Sequence, residues 1–233
     1  MKYFSLANTD ILKHTFENKK FWLFDLDNTL YSPSCRLFDQ VDRNITNYIS
    51  KHLALEWDEA YRLQKSFFKK YGTTLRGLMT EHGTNPNHYL ECVHDIDLSP
   101  VNPNPELAKA LAQLTGRKII FTNGSVQHAE NVMKRLGVHD HFETVFDIVA
   151  SDFQPKPERM AYEKLVQEHA VYPPDSVMIE DMARNLKPAH EMGMTCVWVR
   201  NDNRWAYETA EGEHIDHIID DLTLWLRDLT AVD

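Results

Sequence analysis

The sequence predicts an α/β fold: a doubly wound, Rossmann-like parallel sheet core with a small inserted α-helical cap domain. Three observations predict this class. Short apolar runs recur along the chain, segments of helical period separate the later runs, and long helical patterns interrupt this order after the first run. Continuous apolar runs are typical of strands buried on both faces of a parallel sheet. Strand–helix–strand alternation then requires right-handed crossovers.

Six apolar runs are the candidate strands. They lie at residues 21–24, 119–121, 145–150, 177–179 and 196–199, with a weaker sixth at 217–219. Apolar residues at helical spacing indicate helices between and after them. One stripe comprises Val126, Ala129, Val132, Met133 and Leu136, a second Leu186, Ala189 and Met192, and a third Leu222, Leu226 and Leu229.

The stretch between the first two strands follows a different pattern. Apolar residues at helical spacing fill 38–53 and 57–71, and shorter helical patterns follow around 75–79 and 89–93. An Asn- and Pro-rich link at 100–105 then leads into a helix at 106–114. We therefore predict a core formed by residues 1–30 and 101–233, and a helical cap domain formed by residues 31–100.

Composition limits the partners of this chain. Its 233 residues suit one domain that carries an insertion, and 35 acidic against 25 basic side chains give a net charge of −10. An acidic chain is a poor partner for nucleic-acid polymers and anionic membranes, which select basic surfaces. A small anionic substrate is still compatible, because one local cation or metal ion outweighs the global field.

No segment of the sequence predicts export or membrane insertion. No apolar run approaches the roughly 18 residues that a membrane span needs. Residues Met1 to Asp10 contain one lysine and no apolar signal-peptide core. The three cysteines, Cys35, Cys92 and Cys196, are far apart, which is typical of a reduced cytosol. We therefore expect a cytoplasmic protein.

Two aspartates, Asp25 and Asp27, follow the first strand directly. Ligands of open α/β sheets bind beyond the carboxyl ends of the strands. Two carboxylates at such an edge resist joint ionisation unless a positive group compensates, and a hard divalent cation with oxygen ligands does so. The alternative is a pair of loop aspartates that cap the following turn.

Thr122 and Asn123 follow the second strand just before a helix, where a hydroxyl and free backbone N–H groups form a phosphate cradle. An ordinary helix cap is the alternative. Further along, Lys156 lies between Pro155 and Pro157, which hold its backbone extended and fix where its ammonium group points. A solvated surface lysine is the alternative there.

A second acidic pair, Glu180 and Asp181, ends the fourth strand, and Asn185 follows four residues after Asp181. Acidic groups at two strand ends can face one metal ion. Each of these sites is weak alone, but the ordered set at successive strand ends is a strong signal.

This ordered set resembles the four motifs of the haloacid dehalogenase-like hydrolases. In this sequence the motifs are Asp25-x-Asp27-x-Thr29, Thr122 with Asn123, Lys156, and Glu180-Asp181 with Asn185. The resemblance covers the chain from Phe21 to about Leu226, and the insertion after the first motif resembles the helical type 1 cap of that family.

The resemblance implies a reaction at phosphorus. Asp25 is then the nucleophile that forms an aspartyl-phosphate. Asp27 protonates the leaving alkoxide and next acts as base on water, for which its pKa must be raised. Mg²⁺ is the implied cofactor, held by the Asp25 carboxylate, the Asp27 carbonyl and Asp181, with Glu180 helping through water.

The resemblance also assigns the remaining motif residues. Thr122, the Asn123 N–H and Lys156 bind the phosphoryl oxygens, and Lys156 stabilises the developing charge. Asn185 orients the fourth-motif loop. Asp27 favours phosphate chemistry over dehalogenation, because the dehalogenase branch lacks this second aspartate. A phosphosugar mutase keeps both aspartates and is not excluded.

Substrate choice is expected in the cap, where residues 70–78 break two helices with Gly72 and Gly77. This segment resembles the specificity loop of the pyrimidine 5′-nucleotidase branch, which dephosphorylates UMP- and CMP-like nucleotides. Tyr71, Thr74 and Arg76 are the candidate specificity residues, with helix-end packing and a solvated arginine as the alternative.

The sequence therefore predicts a Mg²⁺-dependent phosphomonoesterase of the 5′-nucleotidase type that acts on a small nucleotide. The alternatives are a phosphatase of phosphoglycolate or a sugar phosphate, a phosphosugar mutase, and a catalytically silent relative, which would lack a motif residue. The sequence leaves the oligomeric state open between a monomer and a homodimer.

Overall fold

The computed structural model describes residues 9–231. Most of the segment Met1 to Asp10, for which the sequence predicts no signal peptide, lies outside these residues. The strands are β1 (Phe21–Phe24), β2 (Arg117–Phe121), β3 (Thr144–Phe146), β4 (Ser176–Glu180), β5 (Thr195–Val199) and β6 (His217–Ile219). Within the described residues they form one six-stranded parallel sheet in the order β3-β2-β1-β4-β5-β6. The predicted α/β class is confirmed.

The helices are α1 (Thr9–Phe16), α2 (Leu37–Leu53), α3 (Trp57–Tyr71), α4 (Thr74–His82), α5 (Pro86–Val93), α6 (Pro105–Gln113), α7 (Val126–Leu136), α8 (Arg159–Glu168), α9 (Ala183–Glu191) and α10 (Leu222–Thr230). The sequence analysis did not predict α1. This helix docks through Phe16, whose ring lies 5.8 Å from that of Trp22 and 5.2 Å from that of Trp225. Within the described residues, no helix combines the length and the apolar character that crossing a bilayer requires.

Both faces of the sheet are buried, as the continuous apolar runs predict. Along β1, Trp22 and Phe24 join one hydrophobic cluster, and Leu23 joins another on the opposite face. The strand β3 is shorter than the predicted run 145–150. It ends because the Asp147 carboxylate accepts hydrogen bonds from the Ala150 and Val126 N–H groups, both at 2.8 Å, and so fixes a turn.

The carboxyl ends of β1, β2 and β4 meet at one edge of the sheet. β1 lies between the other two, with Phe24 beside Ile120 on one side and Ile179 on the other. The strand order reverses at β1, and open α/β sheets bind ligands at such a switch point. Residues that follow these three strands are therefore neighbours.

The helices α2–α5 form the helical insert between β1 and α6. Tyr48, Ile49, Phe67 and Leu78 belong to its hydrophobic cluster. Helices α3 and α4 approach closely at Gly77, where a Cβ atom would lie 2.5 Å from the Phe67 ring. The insert lies within the predicted cap, whose bounds at residues 31–100 stay a prediction.

Candidate active site

Asp25 lies at the centre of the sheet edge and is 6% exposed. Its N–H donates to the Ile179 carbonyl at 2.9 Å, which continues the pairing of β1 with β4. Asn28 then adopts a left-handed φ of 62°, and the tight turn returns Thr29 so that its hydroxyl donates to Asp25 Oδ2 at 3.0 Å. This turn and the Thr29 hydroxyl thus fix the orientation of the Asp25 carboxylate.

Lys156 is 1% exposed, so it is not a surface lysine. Its Nζ donates to Asp25 Oδ1 at 2.7 Å, to Glu180 Oε2 at 2.6 Å and to the Phe121 carbonyl at 2.7 Å. Burial alone would lower the pKa of Lys156, but the charges of Asp25 and Glu180 raise it above its ordinary value. The ammonium group is therefore a fixed positive charge beside the candidate nucleophile.

The peptide group of Lys156 is held by Asn123. Asn123 Oδ1 accepts the Lys156 N–H at 2.8 Å, and its Nδ2 donates to the Lys156 carbonyl at 3.1 Å. Thr122 is 2% exposed, lines the site beside β2, and accepts the Gly124 N–H at 2.9 Å. The sequence predicts a phosphate contact for the Asn123 N–H. The Asn123 side chain has the further role of holding the peptide group of Lys156.

Three carboxylates face one another at this edge. Asp25, Glu180 and Asp181 each present an oxygen within 4.8 Å of the others. Burial, and then the charge of Glu180, raise the pKa of Asp25 to about 7, against the opposing effect of Lys156. Burial and the charges of Glu180 and Asp25 raise the pKa of Asp181 well above its ordinary value.

This oxygen set fits a hard divalent cation such as Mg²⁺. Burial, and then the mutual repulsion of these carboxylates, raise the pKa values of Asp25 and Asp181, and a bound cation would relieve that repulsion. Asn201 holds Asp181 in place by donating to its Oδ2 at 3.0 Å, and Glu180 Oε1 accepts the Met182 N–H at 3.1 Å. Sequence reasoning did not find Asn201, since it is remote from the motifs.

Asn185 stabilises the loop after β4 through its backbone. Its N–H donates to the Met182 carbonyl at 2.9 Å, and its carbonyl accepts the Tyr162 hydroxyl at 2.5 Å. Its side chain is 5% exposed and lines the cavity, and its Oδ1 has no hydrogen-bond partner among the described residues.

Asp27 is held by two donors on one oxygen. Asp27 Oδ1 lies 2.8 Å from His128 Nε2 and accepts the Tyr31 hydroxyl at 2.6 Å. Burial alone would raise the pKa of Asp27, but the charge of His128 and the hydrogen bonds from His128 and Tyr31 hold it below its ordinary value. In this structure the pKa of Asp27 is therefore lowered, whereas the proton transfer that the sequence assigns to Asp27 needs a raised pKa under the closed cap.

Sequence reasoning missed His128, which lies outside the four motifs. It assigned Val126 to the buried stripe of α7, but Val126 is 44% exposed and His128 is 2% exposed. A signal was present, since His128 is spaced four residues from Val132 on the buried face of the helix.

A cavity of about 620 Å³ joins the sheet edge to the helical insert. The sheet side presents Asp25, Asp27, Asn28, Thr122, Asn123, Lys156, Glu180, Asp181 and Asn185, and the insert side presents, among others, Asp42, Tyr61, Gln64, Lys65, Phe68 and Thr74. Arg184 ties the two sides together, with its guanidinium carbon 4.3 Å from the Phe68 ring centre and its Nη2 3.2 Å from the Gly72 carbonyl.

The structure corrects the predicted placement of the cap residues. Of the three predicted specificity residues, Thr74 lines the cavity, and its hydroxyl donates to the Gln64 carbonyl at 3.2 Å. Tyr71 donates its hydroxyl to Glu81, and Arg76 Nη1 lies 3.0 Å from a carboxylate oxygen of Glu158.

The direction of Arg76 follows from where α4 begins. Thr73 caps the helix by accepting the Arg76 N–H at 3.2 Å. The first turn then buries Thr74 and Leu75 and points Arg76 away from them. Neither Tyr71 nor Arg76 is among the described residues that line the cavity.

Comparisons with known proteins identify the family of this chain. The family model for haloacid dehalogenase-like hydrolases matches residues 20–193. The chain belongs to this family. Phosphate metabolism protein 8 of Saccharomyces cerevisiae is 26% identical over 76% of this chain, which spans 60% of the length of that relative. Glyceraldehyde 3-phosphate phosphatase of Pyrococcus furiosus is 28% identical, over 85% of this chain and 88% of the relative.

The fold is shared with solved structures of the family. The crystal structure of a HAD phosphatase from Thermococcus onnurineus matches with a TM-score of 0.58 at 21% identity, covering 90% of this chain and 97% of that one. At this identity the match supports the fold alone.

Proposed function

We propose that this haloacid dehalogenase-like protein is a Mg²⁺-dependent phosphomonoesterase. The observation that carries the proposal is the placement of Asp25 at the end of a cavity, 2.7 Å from the ammonium group of Lys156 and beside Glu180 and Asp181. A carboxylate beside a fixed positive charge and a cation site is arranged to attack an anionic phosphorus centre.

Asp25 forms a bond from a carboxylate oxygen to phosphorus, and the bond from phosphorus to the ester oxygen breaks with its electron pair. Asp27 gives a proton to that departing oxygen. The dianion of the bound ester lies near Asp27 and raises its pKa, which favours the protonated form before this step. Asp27 then takes a proton from the water that attacks phosphorus, which releases phosphate and restores Asp25.

Mg²⁺ would be held by Asp25, Asp181 and the Asp27 carbonyl, with Glu180 nearby. When bound, it would offset the negative charge of the phosphoryl oxygens and the attacking carboxylate. Lys156, Thr122 and the Asn123 N–H orient the phosphoryl group from the other sides. The raised pKa values of Asp25 and Asp181 support a cation here, because a positive charge relieves their repulsion.

For the substrate we propose a pyrimidine nucleoside 5′-monophosphate. The cavity of about 620 Å³ is larger than a glycolate or triose ester requires, and Tyr61, Phe68 and Trp205 give its wall aromatic surface for a base. Pockets for small molecules and cofactors typically measure roughly 300–1,000 Å³. The second candidate is a small sugar phosphate, favoured by the name of the Pyrococcus furiosus relative.

Phosphate release separates these candidates. Purified protein is given UMP, CMP, dTMP, AMP, GMP, phosphoglycolate and glyceraldehyde 3-phosphate, each with Mg²⁺ and with EDTA. We expect metal-dependent release that is fastest with UMP and CMP. Release led by glyceraldehyde 3-phosphate would replace the nucleotide proposal, and no release from any ester would contradict the phosphatase.

A further inference from the structure

His128 is a buried histidine that the family motifs do not include. It lies in the first turn of α7, which begins directly after the phosphate-binding turn, and is 2% exposed. Its Nε2 is 2.8 Å from Asp27 Oδ1. A buried polar ring needs such a partner, and an oriented donor restricts the rotation of the carboxylate that accepts it.

Tyr31 donates to the same Asp27 oxygen at 2.6 Å. Since His128 and Tyr31 both engage Oδ1, Oδ2 is the Asp27 oxygen left to carry a proton toward a substrate. Asp27 lines the cavity, and its side chain is 15% exposed there. Both contacts thus fall on Oδ1 and restrict the orientation of the Asp27 carboxylate.

The helical insert contacts this pair through His94, the cap residue that follows α5. The His94 and His128 rings are stacked, with centres 4.4 Å apart and planes inclined by 9°. His94 Nδ1 lies 3.0 Å from the Ser125 hydroxyl, and Ser125 caps α7 by accepting the His128 N–H at 3.3 Å. The insert therefore covers the His128 ring and holds the turn that carries it.

We propose that His128 is a positioning residue that fixes Asp27 Oδ2 toward the leaving-group oxygen, and that His94 keeps His128 in place from the helical insert. This inference rests on the proposed phosphatase function. A residue that acts through Asp27 affects the steps in which Asp27 moves a proton, whereas a residue that only stabilises the fold affects every step alike.

Two esters with different leaving groups separate these roles. The leaving group of an alkyl ester such as UMP is an alkoxide, which needs the proton from Asp27. The leaving group of p-nitrophenyl phosphate is p-nitrophenolate, which departs unprotonated. We expect His128→Ala to slow leaving-group release from UMP by about 100-fold, the low end of what a positioned acid contributes. Release of p-nitrophenolate in the first turnover should keep the wild-type rate.

The second step gives an independent readout on the same variant. Water attack on the aspartyl-phosphate also uses Asp27, so His128→Ala should release about one equivalent of p-nitrophenolate per enzyme in a burst before a slow steady state. His128→Gln retains an N–H donor and should recover part of the lost rate. His94→Phe retains an aromatic face over His128 and should be faster than His94→Ala.

His14→Gln is the matched control, because His14 lies on α1 with its side chain 84% exposed. Thermal unfolding confirms that each variant is folded before kinetics are measured. Equal losses on both esters, with no burst, would overturn the positioning role while leaving the phosphatase intact. A wild-type protein that releases neither leaving group would overturn the proposed function and this inference together.

Discussion

On the sheet side of the cavity one buried lysine faces three carboxylates, whereas on the insert side Lys65 is matched by Asp42 across 2.6 Å. Gln64 completes the insert side, since its Nε2 donates to Asp42 Oδ1 at 2.6 Å and its Oε1 accepts the Thr46 hydroxyl at 2.5 Å. The insert side is satisfied by its own contacts.

On the sheet side, burial and then the charges of neighbouring carboxylates raise the pKa values of Asp25 and Asp181. Buried charge without full compensation is costly, so it is expected where a cation or a reacting group supplies the balance. Under the proposed function, the reaction is therefore expected at the sheet edge, and the insert is expected to contribute shape and aromatic surface to the cavity.

Removing the nucleophile should abolish turnover. Asp25→Asn keeps an oxygen that accepts from Lys156, but an amide does not attack phosphorus, so we expect a loss of at least about 10⁴-fold in kcat. Steady-state phosphate release with Mg²⁺ measures this loss. A folded Asp25→Asn protein with wild-type turnover would refute the placement of the reaction at this edge.

Removing a lysine from the sheet side and from the insert side should lower the free energy of unfolding by different amounts. Lys156→Ala leaves buried carboxylates unpaired and should lower the free energy of unfolding by about 3–5 kcal/mol. Lys65→Ala on the insert side should cost at most about 1 kcal/mol, because its ion pair with Asp42 is partly exposed. Urea denaturation in EDTA measures both.

Mg²⁺ should restore part of the stability that Lys156→Ala loses, since it replaces one positive charge. The same addition should leave the stability difference between Lys65→Ala and the wild type unchanged. Equal costs for the two substitutions would contradict the described contrast between the sheet side and the insert side.

The raised pKa of Asp25 predicts a pH dependence of stability in EDTA. An acid whose folded pKa is about 7, against roughly 3.9 in the unfolded chain, binds more protons when folded across that window. Its contribution to stability therefore falls as pH rises from about 4 to about 7.

Asp25→Asn lacks this ionisation. The midpoint of its thermal unfolding should therefore rise relative to that of the wild type as the pH increases from 5 to 7. Mg²⁺ should reduce the gain by stabilising the ionised wild-type acid. A constant difference across this range would show that Asp25 titrates in its ordinary range.

The smallest effect is expected at Arg76. It pairs with Glu158, with its side chain 31% exposed, rather than facing the cavity. Arg76→Ala should therefore change kcat/KM for UMP and for a small alkyl phosphate by the same modest factor. A much larger loss with UMP would instead restore the specificity role that the sequence predicts.

The sheet edge could be predicted from sequence because it depends on short-range patterns. Buried strands locate the carboxyl ends, and Asp25, Lys156, Glu180 and Asp181 each lie at or near a loop that follows a strand. Parallel topology then brings these loops together without any detailed knowledge of packing.

The cap residues depend on tertiary geometry, and sequence reasoning was weaker there. The start of α4 after Thr73 decides that Thr74 faces inward and Arg76 outward, and helix boundaries are hard to predict to the residue. His128 was missed for a related reason: its partner Asp27 is 101 positions away. Such a pairing leaves no short-range pattern beyond the buried helical position.

The most direct test of the account is to trap the phosphorylated enzyme. Wild-type protein is mixed with Mg²⁺ and substrate, quenched rapidly in acid, digested and analysed by mass spectrometry, with Asp25→Asn treated in parallel. We expect one added phosphoryl group on the wild-type peptide that contains Asp25, and none on the corresponding peptide of the variant. Turnover with a phosphoryl group on another residue would contradict it.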